Sequence, residues 1–428
     1  MLVLNEILKN KDAVVKALAK KHFKADDIVE KIIELDKDRR ETKSRLDEVL
    51  AESNKIAKEI GALYKAGKKD EADAMKVKTA QLKETGKELN DKFDLLQEQI
   101  TKCIVELPNT PCELVPEGKN AEDNLIVHRE GDFPQLPANA LPHWELAKKY
   151  NLIDFELGNK VTGAGFPFYR GYGARLQRAL ITYFLNSAIN RGFIEYQPPL
   201  VVNEASGFGT GQLPDKEGQM YHCTVDNFYL IPTAEVPITN IYRDVILKQE
   251  DLPIKNVAYS SCFRREAGSY GKDVRGLNRL HEFDKVEIVE ISTQEDSYKI
   301  LDEMVEHVAS LVRGLGLPFR IVRLCGGDIS FTSALTYDFE VYSAAQEKWL
   351  EVSSVSNFES FQANRLKLRY KNSEGKTVLA HTLNGSALAL PRIVAAILEN
   401  YQTEDGIRIP EVLQHFMGCD FISESNKI

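Results

Sequence analysis

A seven-residue repeat of apolar positions runs through the first quarter of the chain. It consists of one set of positions spaced by seven and a second set four residues further on: Ile28, Leu35, Thr42, Val49, Ile56 and Leu63, then Ile32, Arg39, Leu46, Ser53 and Ile60. A second pair of sets follows: Met75, Leu82, Leu89, Leu96 and Cys103, then Thr79, Gly86, Phe93 and Ile100. This spacing is typical of the a and d positions of a coiled coil, so it predicts two long helices.

The two predicted helices are separated by residues 64–70, where Gly67 can take the left-handed conformation that ends a helix. Such a short turn predicts an antiparallel hairpin. At about 1.5 Å per residue, the first helix would be roughly 55 Å long. Half of a helical bundle is the alternative, but the polar seam residues Arg39, Thr42 and Ser53 favour a two-helix arm standing in water.

The pattern changes after the second helix. Residues 107–116 contain three prolines and predict a linker. We therefore expect a helical N-terminal domain over residues 1–107 and a second domain over residues 108–428. The second domain shows a helix at 173–191 and short strands at 257–264, 280–291, 319–324, 337–342 and 348–355. Short connections between neighbouring strands favour antiparallel pairing, so the fold class is α+β.

Composition and charge narrow the class of protein. The 428 residues are 43% hydrophobic and carry a net charge of −9, which excludes a protein that is basic all over. Residues 1–105 carry +2 and the remainder −11, so a polyanion would approach the N-terminal part first. No basic leader or apolar stretch of about 18 residues is present, and the six cysteines are scattered. We expect a cytoplasmic protein without a membrane partner.

The stretch 260–287 holds the densest set of candidate binding residues. Two predicted strands flank a loop that contains Lys272, Arg275 and Arg279, and long charged loops are more often functional than structural. Alternation along the second strand places four side chains on one face: His281, Phe283, Lys285 and Glu287. An aromatic ring, a cation and a carboxylate on one face suit a polar ligand with a planar ring. The alternative is that this strand face binds no ligand and only contacts solvent. The sequence completes neither a Walker A loop nor a Rossmann fingerprint.

A second candidate lies nearer the C-terminus, at residues 381–392. Pro391 fits the first turn of an apolar-faced helix, so Arg392 is predicted at the helix N-terminus, where an anion is favoured. The alternative is that Arg392 pairs with a neighbouring carboxylate.

Five segments together resemble the class II aminoacyl-tRNA synthetases, and within them the seryl-tRNA synthetases. Residues 263–266 (Phe-Arg-Arg-Glu) with 279–283 (Arg-Leu-His-Glu-Phe) are similar to the second class-defining motif, and 385–392 to the third. Residues 192–199 resemble the first motif, which builds the family's dimer interface. Residues 233–235 (Thr-Ala-Glu) and 351–354 (Glu-Val-Ser-Ser) resemble the serine-binding loop and a metal- and ATP-contacting strand. The helical arm is also a family feature.

The resemblance implies an enzyme that joins serine to tRNA(Ser), and also to tRNA(Sec), through a seryl-adenylate made from ATP. It assigns catalytic roles to Arg264, Glu351 and Arg392. It assigns L-serine binding to Thr233, Ala234, Glu235, Glu287, Asn384 and Ser386. It assigns ATP binding to Arg264, Arg265, Glu266, Leu280, Phe283, Glu351, Val352, Ser353, Ser354 and Arg392. Glu351 and Ser354 would bind Mg²⁺ together with ATP.

The arm would bind tRNA across a homodimer, through its shape and backbone, and no DNA partner is expected. The candidate phosphate contacts are Lys55, Lys58, Lys65, Lys68, Lys69, Lys76 and Lys78, although any single lysine could belong to a solvated helix face. Two positions depart from the family pattern: Arg265 replaces a small polar residue and Glu282 a Gln. Two other functions stay open, namely a ligase that charges a carrier protein and a non-enzymatic protein that retains the scaffold.

Overall fold

We describe the fold from a computed structural model, over residues 1–267 and 275–425. Lys272 and its neighbours in the long loop lie outside the described residues. The chain forms two compact units: a helical unit of residues 2–19 and 23–108, and a larger unit of Met1, residues 20–22 and residues 109–428. No helix within the described ranges is long and apolar enough to cross a membrane.

The helical unit is a long hairpin preceded by two short helices. Its helices are α1 (Leu4–Lys9), α2 (Lys11–Ala19), α3 (Asp26–Lys65) and α4 (Lys69–Glu106). The apolar seams of α3 and α4 face each other, and Leu46, Ile56, Leu89 and Leu96 are buried between them. Gly67 has φ 77° at the turn. The predicted antiparallel hairpin is therefore confirmed.

Polar residues in the seam are accommodated by local partners. Arg39 donates from its Nη2 to Asp36 Oδ1 at 2.6 Å, and Arg40 contacts the other oxygen of the same buried carboxylate at 2.6 Å. The Arg39 guanidinium also lies 5.9 Å from the ring centre of Phe93 on α4. Gly86 faces Val49, where a Cβ would meet Cγ1 at an ordinary 3.7 Å. The seam thus tolerates the interruptions that the sequence shows.

The larger unit is α+β, as predicted. Its helices are α5 (His143–Lys149), α6 (Phe155–Val161), α7 (Gly171–Asn190), α8 (Glu204–Thr210), α9 (Glu235–Asn240), α10 (Ser297–Gly314), α11 (Ser360–Leu366), α12 (Leu390–Asn400) and α13 (Glu411–Met417). Its first strands are β1 (Leu125–Glu130), β2 (Ile153–Asp154), β3 (Phe168–Tyr169), β4 (Ile194–Tyr196), β5 (Val201–Asn203), β6 (His222–Cys223), β7 (Phe228–Leu230), β8 (Ile246–Lys248) and β9 (Ile254–Phe263). The remaining strands are β10 (Glu282–Ser292), β11 (Phe319–Arg323), β12 (Leu335–Ser343), β13 (Lys348–Asn357), β14 (Arg369–Lys371), β15 (Thr377–Leu379), β16 (His381–Ala389), β17 (Gly406–Arg408) and β18 (Phe421–Ser423).

The main sheet of the described chain has the strand order β1-β11-β12-β13-β16-β10-β9-β4. All neighbours pair antiparallel except β4 and β9, which are parallel. The five predicted strands correspond to β9, β10, β11, β12 and β13 within a few residues at each end. The sequence did not reveal β16, which lies between β13 and β10 at the centre of the sheet.

Three helices cover the sheet and complete the core. Helix α7 corresponds to the predicted helix at 173–191, and its apolar face is buried, with Leu176, Leu180 and Phe184 at 0% exposure. Helix α10 contributes Met304 and Val308, and nearly all of α12 is buried. Because α12 begins where β16 ends, Arg392 is fixed at one end of the sheet.

Candidate active site

Four central strands bring the predicted site residues to the same end of the sheet. Phe263, the last residue of β9, pairs with Glu282, and Ala389, the last residue of β16, pairs with Lys285. Arg264 and Arg392 therefore follow two strands that flank the beginning of β10. Glu351, on β13, lies at this end too, because Arg392 Nη1 donates to its carbonyl oxygen at 2.7 Å.

Arg264 connects three parts of the site. Its backbone N–H donates to the carbonyl of His281 at 2.9 Å, which joins it to the start of β10. Its Nε donates to the carbonyl of Pro232 at 3.4 Å, next to the Thr233–Glu235 segment. The guanidinium lies 5.2 Å from the ring centre of Phe283. A cation beside a partly buried aromatic ring suits a nucleotide, whose phosphates and base need these two partners.

A buried cluster of polar side chains lies beside Arg264. Thr233 Oγ1 and Ser386 Oγ donate to the same Glu287 oxygen, at 3.3 and 3.4 Å. Lys285 forms an ion pair with that carboxylate. All four residues are less than a tenth exposed. Buried polar groups in such number are costly unless a ligand or each other satisfies them, so the cluster suits a small polar ligand.

Glu235 adds a second carboxylate to this cluster. Its backbone N–H donates to Thr233 Oγ1 at 3.2 Å, and its Oε1 accepts from Gln362 Nε2 at 2.6 Å. Burial, followed by repulsion from Glu287, raises the pKa of Glu235 to about 7, although the amides of Gln362 and Asn384 oppose the shift. Two carboxylates with a single buried lysine form a net negative site, which favours a ligand that carries an ammonium group.

The alternation along β10 predicts Lys285 on the ligand-facing side of the strand, and the structure places it there beside Glu287. Gln362, which contacts Glu235, is not identified by the sequence. Gln362 is fixed by Thr382, whose hydroxyl donates to Gln362 Oε1 at 2.7 Å. Gln362 belongs to α11 and lies outside every recognised motif, so no local pattern could have identified it.

On the other side of the site, Glu351 lies near two further side chains that carry oxygen atoms. Ser354 Oγ donates to Glu351 Oε1 at 3.4 Å, and Asp338 pairs with Ser354 across β12 and β13. Asp338 Oδ1 is buried and lacks a hydrogen-bond partner among the described residues. An oxygen-only donor set with one unsatisfied carboxylate oxygen fits a hard divalent cation such as Mg²⁺.

The other predicted ATP contacts fall into two groups. Val352 and Leu280 bury their side chains in the core, and Ser353 Oγ donates to the Ser386 carbonyl. These residues can therefore reach a ligand only through their backbone. Arg265 and Glu266 begin the long loop, and Glu266 Oε2 accepts from Arg279 at 2.9 Å. Glu282, the second departure from the family pattern, is exposed at the start of β10, and partial desolvation, followed by repulsion from Asp284, raises the pKa of its carboxyl.

The seven candidate lysines belong to the helical unit and are all exposed. Three of them pair with neighbouring carboxylates: Lys68 with Glu71, Lys76 with Asp73, and Lys78 with Glu52. Lys55, Lys58, Lys65 and Lys69 form no ion pair within the described part of the chain. A lysine that forms no ion pair gives up no existing ion pair when it contacts a phosphate. These four lysines are therefore the better candidates for phosphate contacts.

Comparison with known proteins agrees with this arrangement. Two protein-family models match the chain: the tRNA synthetase class II core domain (G, H, P, S and T) over residues 221–401, and the seryl-tRNA synthetase N-terminal domain over residues 1–111. The chain is 49% identical to a serine–tRNA ligase of Salinibacter ruber, over 98% of both chains. It is 46% identical to one of Caldicellulosiruptor saccharolyticus, over 99% of this chain and all of the other.

Solved structures show the same similarity. The seryl-tRNA synthetase of Pyrococcus horikoshii complexed with ATP superposes with a TM-score of 0.92, at 32% identity and 99% coverage of both chains. A Giardia lamblia prolyl-tRNA synthetase in complex with prolyl-adenylate superposes with a TM-score of 0.55 at 16% identity, over 63% of this chain and 54% of the other. The latter similarity concerns the fold alone.

Proposed function

Because this chain belongs to the seryl-tRNA synthetases, a family of class II aminoacyl-tRNA ligases, we propose that it activates L-serine with ATP and transfers the seryl group to tRNA(Ser). One observation carries the proposal most directly. A buried polar cluster lies next to Arg264, and Arg392 lies at the same end of the sheet.

The first step joins serine to the α-phosphate. The serine carboxylate attacks the α-phosphorus of ATP, the bond to the β-phosphate oxygen breaks, and pyrophosphate leaves with seryl-adenylate as the other product. Negative charge grows on the phosphoryl oxygens, so fixed cations and correct positioning supply the catalysis and no protein nucleophile is needed. Arg264 would contact the α-phosphate and the serine carboxylate, Arg392 the terminal phosphate, and Phe283 would stack on adenine.

The serine side chain would be recognised by its hydroxyl. Thr233, Glu287 and Ser386 form one hydrogen-bonded group, and Glu235 and Asn384 lie beside it. Alanine has no hydroxyl, so these buried polar groups would be left without their hydrogen-bond partner if alanine were bound. The site should therefore reject alanine strongly. Threonine would be rejected by lack of space for one methyl group, a smaller effect of about 1–3 kcal/mol.

The residues around Glu351 would hold Mg²⁺ together with ATP. Glu351 and Ser354 would bind it, and the unsatisfied Asp338 oxygen behind them fits the same role. The ion would neutralise phosphate charge when bound. The protein's part is to hold the Glu351 carboxylate near Arg392, whose Nη1 lies 3.7 Å from Glu351 Oε2.

The second step would use both parts of the chain. We assign tRNA binding to residues 1–107 and catalysis to residues 108–428, with the exposed lysines of α3 and α4 on the RNA backbone. A deep, narrow major groove hides the bases of double-stranded RNA, so shape and phosphate contacts suit such an arm. The proposal also includes a homodimer, in which the arm of one subunit contacts tRNA bound to the other subunit. It further includes charging of tRNA(Sec) and a cytoplasmic location.

Serine-dependent exchange of ³²P between pyrophosphate and ATP tests this function on the purified full chain. We expect exchange with serine, Mg²⁺ and ATP, and at least tenfold less with alanine or threonine at equal concentration. Faster exchange with any other amino acid would overturn the assignment. Light scattering on the same sample gives the mass of the assembly and tests the dimer.

We propose that the Glu235 carboxylate binds the serine ammonium group, and the pH dependence of serine use tests this contact. Its pKa, raised to about 7, means that the carboxyl loses its charge as the pH falls below neutrality, whereas the serine ammonium stays charged. We expect kcat/KM for serine to fall roughly tenfold for each pH unit below 7, because the ion pair with the ammonium is lost.

The matched control for this measurement is Glu235→Gln. It should lower kcat/KM for serine at every pH and remove most of the slope between pH 6 and 7.5. A wild-type profile that stays flat across this range would contradict the proposed contact between Glu235 and the ammonium group.

A further inference from the structure

A buried histidine–carboxylate pair lies outside the binding cluster. His143, the first residue of α5, and Glu399, near the end of α12, are both 0% exposed and 256 residues apart. His143 Nδ1 lies 2.7 Å from Glu399 Oε1, and the His143 backbone N–H donates to the same oxygen at 2.9 Å. Glu399 also accepts from Ser343 and, at 2.9 Å, from Gln346 Nε2.

The hydrogen bonds fix the state of both side chains. The backbone N–H of Leu277 donates to His143 Nε2 at 2.9 Å, so Nε2 must be unprotonated. The ring proton is then on Nδ1 and is donated to Glu399. Burial alone would raise the pKa of Glu399, but its hydrogen bonds, above all from His143, hold that pKa below its usual value. The imidazole therefore connects a carboxylate on α12 to the end of the long loop.

The first turn of α5 makes further contacts with the same end of that loop. The Arg275 guanidinium lies 4.6 Å from the ring centre of Trp144, and Arg275 Nη2 is 3.4 Å from Glu145 Oε1. Gly276 approaches His143 so closely that a Cβ there would lie 2.3 Å from Nε2. The three consecutive residues His143, Trp144 and Glu145 thus form one docking surface for residues 275–277.

The next loop residue contacts the catalytic arginine directly. The carbonyl oxygen of Asn278 accepts from Arg392 Nε at 3.0 Å. The Asn278 side chain donates to Gln346 Oε1 at 3.0 Å, and Gln346 contacts Glu399. Two backbone oxygens, those of Asn278 and Glu351, therefore determine the orientation of the Arg392 guanidinium. Asn278, which supplies the first of these oxygens, directly follows Leu277, whose N–H binds His143.

We propose that His143, oriented by Glu399, is a positioning residue for Arg392 and hence for ATP. By binding the Leu277 N–H, it holds the Asn278 carbonyl where Arg392 needs it. The proposal rests on the proposed role of Arg392 as a phosphate ligand. It predicts that loss of the bond to Leu277 weakens ATP binding, whereas loss of the bond to Glu399 mainly lowers stability.

Two substitutions separate these bonds. In His143→Gln, the amide oxygen can replace Nε2 as the acceptor for Leu277, while the donor to Glu399 is lost. In His143→Asn, the shorter amide can still donate to Glu399 but leaves the Leu277 N–H unsatisfied. We expect the Kd for ATP, measured by calorimetry on the full chain, to rise about tenfold in H143N and less than about threefold in H143Q. The KM for serine in exchange should stay near the wild-type value in both variants.

Thermal unfolding of both variants separates positioning from a merely structural role. Equal Kd values for ATP in the two variants, with lowered Tm in both, would overturn the proposal. A second test combines each variant with Arg392→Ala, where the difference in ATP affinity between Asn and Gln should vanish. A difference that persists without Arg392 would also overturn it. Wild-type protein that lacks serine-dependent exchange would instead refute the proposed function, so the two failures are distinguishable.

Discussion

Replacing Arg264 by alanine should lower serine-dependent exchange by about 10²–10³-fold, or about 3–4 kcal/mol of transition-state stabilisation. The backbone N–H of Arg264 donates to the His281 carbonyl, and its Nε donates to the Pro232 carbonyl beside Phe283, so the guanidinium is oriented before the ligand binds. A preorganised cation stabilises developing phosphoryl charge without the cost of reorganisation. Single-turnover adenylate formation and steady-state exchange should therefore decrease together.

Arg313→Ala is the matched control for this substitution. Arg313, unlike Arg264, forms ion pairs with carboxylates, and these belong to the partly exposed Glu130 and the exposed Glu306, away from the binding cluster. Its loss should leave exchange within about twofold of wild type, since exposed ion pairs contribute at most about 1 kcal/mol. If Arg264→Ala retained wild-type exchange, the site would be misplaced. An inactive wild-type protein would favour the non-enzymatic alternative.

Deleting residues 28–104 should abolish tRNA charging while adenylate formation survives. This deletion removes nearly all of α3 and α4, and with them every candidate lysine. Each phosphate contact releases counterions and so favours tRNA binding, and the deletion removes these contacts. We therefore expect charging to fall by about 10³-fold at moderate salt. Exchange should remain within a few-fold of wild type, because the cluster around Glu287 belongs to the larger unit.

A milder variant keeps the hairpin intact. Replacing Lys55, Lys58, Lys65 and Lys69 by Gln should weaken tRNA binding and lower the slope of log K against log salt by about 0.7–0.9 for each true phosphate contact. Lys102→Gln, at the opposite end of α4 and paired with Glu98, is the control and should change neither quantity. Charging that persists without the arm would exclude its tRNA role and favour a ligase for a carrier protein.

The resemblance to seryl-tRNA synthetases, drawn from five short segments and the arm, is confirmed by relatives that match nearly the whole chain. The α+β fold class and the hairpin are confirmed as well. The predictions of the hairpin and of the fold class are correct for a physical reason. The seams of α3 and α4 show the helical period over many repeats, and β10 shows partial alternation next to a charged loop.

Other features carry no local pattern. Strand β16 is buried on both faces, so its polar and apolar residues do not alternate, and it was missed. Gln362 lies on a short helix outside every motif, and only the folded chain places its amide on Glu235. The His143–Glu399 pair joins positions 256 residues apart, a separation at which no single sequence indicates contact.

The sequence by itself determined the long hairpin, the strands β9, β10 and β13 of the site, and the residue types that suit a nucleotide and a small amino acid. Hydrophobic period and motif spacing are local properties, so they can be read along the chain. Only the tertiary structure decided which polar groups meet. Strand register placed Ser386 opposite Glu287, and helix packing placed Glu399 against His143, because long-range pairing depends on the packing of the whole core.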